Sequence, residues 1–216
     1  MLYDYFPFGG LQEDCVLTAQ AMQARGHEVE VVTRTWQGTP PVELNVQLLG
    51  RRGGTNTARN VAFFDDLDAY FAANPTDCVV AFNRVPNCDV YFSADPCYLV
   101  KVENKPFWYF WTARHRHYRD SEAAIFMNPD KPQIYCLTQR EIDTYHQHYG
   151  TALERFHLLP PGVARVERPI SEKSAIRASL RSELGVAEEQ VVALFVGSDY
   201  KRKGVPKNRN RTEGHD

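Results

Sequence analysis

The sequence predicts an α/β fold of the wound type, in which helices alternate with strands of a parallel sheet. Three observations predict it. Apolar or small residues recur at helical spacing at Leu11, Cys15, Ala19 and Met22 and run straight into a β-branched stretch over 28–33. The run over 77–82 is short and almost wholly apolar, the pattern of a strand buried on both faces of a parallel sheet. A third strand-like run, over 133–137, feeds a helix start at Thr138 with Glu141 three residues on, the spacing of a capping box.

Taken in order, the elements begin with a shortage. A wound sheet places its first strand centrally, ahead of the first glycine turn, yet only residues 2–8 precede Gly9-Gly10 and Pro7 is among them. The first strand is therefore expected to be missing. The first helix runs over 11–25 and stops at Gly26. Strands follow at 28–33 and, more weakly, at 45–49. A second helix begins near Asn56 or Thr57 and carries Val61, Phe64, Leu67 and Phe71 toward the 77–82 strand. Residues 89–92 and 133–137 add strands, and Leu159-Pro160-Pro161-Gly162-Val163 is a rigid turn. A charged helix over 171–184 ends at Gly185, and 190–197 reads as a buried strand opening a new sheet that nothing completes. After Pro206 no aliphatic residue occurs, which predicts a disordered tail. The expected organisation is a domain over 1–163, a connection over 164–189, the first strand and turn of a second domain over 190–205 and a tail over 206–216, with both ends of the chain cut.

Composition narrows the function. With 216 residues, 43% apolar and 24% charged, the chain reads as a soluble globular protein, and its net charge of -2 gives no overall pull toward nucleic acid or anionic lipid. Any charged partner must meet a local patch. No apolar run is long enough to span a bilayer, and Met1-Leu2-Tyr3-Asp4 lacks the start of a signal peptide, so a cytoplasmic location is expected. The five cysteines are scattered and odd in number, which predicts reduced, mostly buried thiols rather than a disulfide framework or a zinc site. His115 and His117, like His146 and His148, stand two apart and point to different faces of a helix, so no metal site is expected. The basic stretch 201–211 carries no aromatic after Tyr200 and belongs to no nucleic-acid module.

Several residues have the chemistry of a ligand site. Gly9-Gly10 opens a helix, where free backbone N–H groups favour an anion and absent side chains allow close approach, although the same pair makes a tight turn without any ligand. Asp14, on the first turn of that helix, is suited to accept hydrogen bonds from hydroxyl groups or simply to complement the helix dipole. Asn83, Arg84 and Asp95 follow the carboxyl ends of expected strands, the edge at which open α/β sheets bind ligands; Asp95 has a second reading as a turn cap before Pro96. Arg202 and Lys203 follow a strand and a turn, as cations neutralising a phosphate or as a solvated loop.

In order along the chain, Tyr5-Phe6-Pro7-Phe8-Gly9-Gly10-Leu11-Gln12, Phe82-Asn83-Arg84, Asp89-Val90-Tyr91-Phe92, Ala94-Asp95, Leu159-Pro160-Pro161-Gly162 and Val196-Gly197-Ser198-Asp199 with Arg202-Lys203-Gly204 resemble the lipopolysaccharide core glucosyltransferase I type of the family-4 retaining glycosyltransferases. The resemblance implies a GT-B fold, two Rossmann-like domains facing each other, of which this chain holds the first and the start of the second. It implies transfer of a hexose, glucose from UDP-glucose, to a heptose of the inner core of lipopolysaccharide. No cofactor is implied beyond the nucleotide-sugar donor, and the fold works without a metal ion. By resemblance Gly9, Gly10, Arg202 and Lys203 bind the donor, Asn83 and Arg84 the acceptor, and Asp14 and Asp95 supply the catalytic carboxylates. The family's pair of glutamates separated by seven residues is absent, so the isolated chain is expected to be inactive; the competing expectation is a non-catalytic fragment that binds membrane or glycan.

Residues 101–119 carry Lys101, Lys105, Arg114, Arg116 and Arg119 against the single acid Glu103, around Phe107-Trp108-Tyr109-Phe110-Trp111. Aromatics favour the membrane interface and cations are drawn to anionic headgroups, so Lys105, Phe107, Trp108, Trp111, Arg114 and Arg116 are expected to dock the protein on the inner face of the inner membrane. The competing expectation is a core helix with buried aromatics. Five consecutive aromatics would encircle a helix, so they cannot all face one core.

Overall fold

The computed structural model describes residues 1–162 and 169–195. Its first strand, β1 (Leu2–Tyr5), pairs in parallel with β2 (Glu30–Trp36), and β2 pairs in parallel with β3 (Asn45–Leu48). A second set of parallel strands runs β4 (Val80–Ala81), β5 (Val90–Ser93), β6 (Gln133–Cys136) and β7 (Phe156–Leu158). The two sets are joined at β1 and β4. The Met1 ammonium donates to Val80 O at 2.6 Å, Phe82 N donates to Met1 O at 3.0 Å, and the side-chain oxygen of Asn83 accepts the Tyr3 N–H at 2.7 Å.

The strand order across the sheet is therefore β3-β2-β1-β4-β5-β6-β7, and its direction of winding reverses between β1 and β4. This corrects the expectation of a missing first strand. Four residues suffice because β1 is central: β2 and β4 satisfy its backbone from both sides, and Leu2 is buried between them. The α/β class stands as expected.

Helices cover the sheet. α1 (Gly10–Gln23) buries Gln12, Cys15 and Ala19, the last two in a cluster with Leu2, Val31, Leu44 and Phe82. α2 (Asn56–Ala73) is capped by the Thr55 hydroxyl, which accepts from Ala58 N at 3.1 Å, and buries Phe63 and Leu67. A one-turn helix, α3 (Tyr98–Val102), leads to a short 3₁₀ segment (Phe107–Trp111) and then to α4 (Ala113–Phe126), capped by Thr112 through the N–H of His115. α5 (Gln139–Tyr149) starts at Thr138, as the capping-box spacing predicts, and ends at Gly150, whose φ of 65° lies in the left-handed region where glycine is least strained. Phe126 of α4 stacks on Tyr145 of α5 with ring centroids 3.8 Å apart, at the centre of the main core with Tyr91, Ile125 and Ile134.

The carboxyl end of α4 is held by one buried side chain. Arg155 donates to the carbonyls of Ile125 at 2.9 Å, Lys131 at 2.7 Å and Pro132 at 3.0 Å, and to that of Asn128. A cation at a helix carboxyl end also meets the negative pole of the helix.

Residues 1–162 form one unit and 163–216 a second. In the second, α6 (Ile170–Glu183) ends before Gly185, and Arg181 gathers the following turn by donating to the carbonyls of Glu188 at 3.0 Å and Gln190 at 2.7 Å. The strand expected over 190–197 is not formed in its described part. Residues 191–195 form no strand, and Val191 and Leu194 are exposed. An apolar run becomes a strand only where a neighbour takes up its N–H and C=O groups. Val196 and Gly197, like the expected tail, lie outside the described residues. Among the described residues no helix is long and apolar enough to cross a membrane.

Candidate functional site

The reversal of strand order brings the loops after β1, β4 and β5 to one edge of the sheet, the carboxyl edge where wound folds open a crevice. β1 delivers Asp4 there, whose carboxylate pairs with the buried Arg34 and accepts from Thr35 Oγ1 at 2.8 Å. Arg34 in turn donates to Asn60 Oδ1 at 2.9 Å and to Tyr3 O at 3.1 Å. Beside them Tyr5 stacks on Trp36 at 3.7 Å. This pinned platform carries the loop to α1. Phe8 adopts a φ of 72° and is fully exposed, and Gln12 Nε2 donates to Asp4 O at 3.1 Å beneath the loop.

The two glycines differ. A Cβ on Gly9 would overlap the Gln12 side chain and lie 2.7 Å from the Phe6 ring, so Gly9 is required by packing within the chain. At Gly10 a Cβ would meet open space. No side chain caps the start of α1, so the N–H groups of its first turn are left for water or a ligand. Asp14 lies one step beyond that first turn, which holds Glu13, and is exposed. Partial burial, aided by the charge of Glu13, raises its carboxyl above the ordinary value.

Asn83 and Asp95 reach the edge from β4 and β5. Asn83 uses its side-chain oxygen to join β4 to β1, as described above. The Asp95 side chain is 58% exposed, and Tyr145 OH donates to its backbone carbonyl at 2.9 Å. Arg84 is a correction. Expected as an acceptor contact, it is buried, with a side chain 8% exposed: its Nε lies 2.9 Å from Glu122 Oε1, its Nη2 donates to Pro96 O at 2.5 Å, and its Nη1 is 3.7 Å from Asp95 Oδ2. Burial works against its charge, but Tyr91, Glu122, Tyr145 and Asp95 outweigh it and the guanidinium pKa is raised. A side chain so enclosed is held for the protein rather than for a ligand. Arg202 and Lys203 lie outside the described residues.

Two acids escaped the sequence reading. Glu122 is fully buried in α4; the signal for it is an acid in register with the apolar stripe of Tyr118, Ile125 and Phe126. Glu141 was read only as a cap. Its carboxyl is raised mainly by burial, with backbone and Thr138 hydrogen bonds working against the shift and Asp95 adding to it, and its Oε2 is buried without a hydrogen bond.

The aromatic segment 107–111 is a 3₁₀ turn, not a core helix. Phe107 and Trp111 are each 81% exposed, Trp108 and Phe110 are exposed too, and Lys105, Arg114 and Arg116 flank them at the surface. Only Tyr109 turns inward, its hydroxyl 3.1 Å from that of Tyr98, which also lies 3.3 Å from His115 Nδ1. A groove of about 690 Å³ opens at the opposite, amino end of the strands, between α1, β2 and the approach to β4, and none of the candidate residues lines it.

Residues 8–167 match the family model of Glycosyltransferase Family 4. The chain belongs to Glycosyltransferase Family 4. It is 39% identical over 208 residues to the lipopolysaccharide glucosyltransferase WaaG of Escherichia coli (strain K12), a match covering 96% of this chain and 56% of that protein. The crystal structure of WaaG, a glycosyltransferase involved in lipopolysaccharide biosynthesis, has the same fold with a TM-score of 0.85 and 38% identity, over 95% of this chain and 57% of that one. The chain thus spans little more than half the length of these Family 4 relatives. Gly9, Gly10, Asp14, Asn83, Arg84 and Asp95 all lie within the matched region.

Proposed function

We propose that this chain is the acceptor-side part of a retaining glycosyltransferase that moves glucose from UDP-glucose to a heptose of the lipopolysaccharide inner core, at the cytoplasmic face of the inner membrane. The observation that carries the reading is the 39% identity to WaaG across nearly the whole chain. The geometry agrees with it. The uncapped start of α1 at Gly9-Gly10 offers N–H groups to the donor, Asp95 and Asp14 are exposed carboxylates for sugar hydroxyls, and Asn83 borders the same edge.

In the proposed reaction the acceptor hydroxyl oxygen bonds to the anomeric carbon as the bond from that carbon to the diphosphate breaks. The hydroxyl proton passes to the departing phosphate, and UDP leaves. Arg202 and Lys203 are assigned to the diphosphate, where negative charge builds as the bond breaks. The exposed Phe107, Trp108 and Trp111, with Lys105, Arg114 and Arg116, support docking on an anionic membrane surface beside the lipid-linked acceptor.

A second reading rests on the 56% coverage of WaaG: this stretch binds glycan or membrane but needs further residues for turnover. The test is UDP release from UDP-glucose in the presence of a heptose-bearing core acceptor. Acceptor-dependent release supports transfer by the chain itself. Acceptor binding without release supports the second reading, and neither binding nor release overturns both. For docking, flotation with anionic vesicles is expected to carry the protein, and failure to float with either anionic or zwitterionic vesicles would sink that assignment.

A further inference from the structure

One buried polar cluster of the first unit surrounds four residues, Asp95 to Tyr98, which lead from β5 into the start of α3. Glu122, fully buried on α4, accepts the Tyr98 N–H with both oxygens, at 2.8 and 3.0 Å, and the Tyr149 hydroxyl at 2.6 Å; Cys97 Sγ lies 3.8 Å away. It also forms an ion pair with Arg84, whose Nε lies 2.9 Å away without hydrogen-bond alignment and whose other nitrogens reach Pro96 O at 2.5 Å and Asp95 Oδ2 at 3.7 Å. From α5, Tyr145 OH donates to Asp95 O at 2.9 Å. Each residue of the loop is thus gripped by α4, α5 or the segment after β4.

Burying a carboxylate and a guanidinium is expensive, and apolar side chains of similar volume would pack α4 as well. What they could not do is fix the direction of one short loop. The loop ends on the exposed carboxylate of Asp95, so the buried pair sets where that carboxylate stands. A displacement of about 1 Å at a reacting group is enough to cost on the order of a hundredfold in rate.

We propose that Glu122 is a positioning residue for Asp95, acting through Arg84 and the backbone of Asp95 to Tyr98. The inference rests on the reading of Asp95 as an acceptor-side carboxylate. It gives Arg84 a role in orienting the acceptor site without touching the acceptor.

The test titrates the full 216-residue chain with a lipid-free heptosyl core oligosaccharide. It compares the wild type with Asp95→Asn, Glu122→Gln and their double variant, and follows the Asp95 carboxyl carbon and the Tyr98 amide by NMR. Asp95→Asn and Glu122→Gln are each expected to weaken binding about tenfold, with the double variant no weaker than Asp95→Asn alone. In Glu122→Gln the Asp95 carboxyl resonance is expected to shift and Tyr98 amide exchange to accelerate.

Wild-type binding by Glu122→Gln beside a weakened Asp95→Asn, or losses that add in full, would overturn the proposal. If Asp95→Asn itself binds like the wild type, the acceptor reading fails instead. Positioning is then judged without ligand, and an unmoved Asp95 resonance in Glu122→Gln overturns it. Should Glu122→Gln not fold, Arg84→Lys decides by the same measurements: it keeps the charge but loses the fork that spans Glu122 and Pro96 O.

Discussion

Two stretches of α4 are fastened by different chemistry. Its carboxyl end is tied by Arg155, a cation that meets only backbone carbonyls and faces no carboxylate among its hydrogen-bond partners. Upstream of that end α4 carries His115, His117 and Glu122, side chains that titrate or pair with charge, and this stretch lies under the proposed site and behind the exposed aromatics. A helix end that must only be held is held by a group insensitive to pH. The stretch that serves the carboxyl edge is held by groups that can be perturbed.

Breaking each fastening tests that contrast. Arg155→Met leaves several buried carbonyls without donors and is expected to cost about 4 kcal/mol in urea unfolding, while Asp95 and its loop keep their native resonances. Glu122→Ala strands a buried guanidinium and is expected to cost about 3 kcal/mol; adding Arg84→Met should recover part of that stability but not the Asp95 resonance. If the double variant restores both, the pair serves packing alone and the contrast collapses.

A pH series sharpens the contrast further. Burial lowers His117, which stacks on Phe64 with Nε2 enclosed and unpartnered, and burial followed by Arg119 lowers His115, so both lie below the ordinary value of 6.5. The unfolded chain therefore binds protons first, and the stability these residues confer is complete above about pH 6.5 and lost as pH falls toward the depressed folded values. Thermal melts should fall on acidification below that point, and His117→Gln should flatten part of the slope. The smallest effect is expected at Arg119→Ala, whose pair with Asp120 at 2.7 Å is exposed on both sides; melts should move by no more than about 0.5 kcal/mol.

Much of this was legible in the sequence where the signal is local. The helical spacing of α1 and α2, the capping box at Thr138 and Glu141 and the apolar strands of the parallel sheet all appear where the pattern predicts, within a few residues. β1 was not legible, because four residues beside a proline carry no periodicity and owe their conformation to β2 and β4. The 190–197 run failed in the opposite direction: it has the pattern of a strand but, in its described part, does not form one. The placement of Asn83 and Asp95 at the carboxyl edge was legible because both follow strand ends. Arg84 was misread and Glu122 missed for one reason, that each was judged without the other. A cation after a strand resembles a ligand contact until its buried acid, thirty-eight positions away on another helix, is known (122 − 84 = 38).

One feature of the cysteines has a practical use. All five thiols are free, but only Cys78 is exposed, at the amino end of β4 and far along the sheet from Asp95. Burial and the neighbouring Asp89 raise its pKa, so a maleimide coupled under mildly alkaline conditions would attach a single dye to the unaltered chain. Energy transfer from that dye to a fluorescent lipid would then act as a ruler for the proposed docking, giving the height of the sheet's amino end above a vesicle.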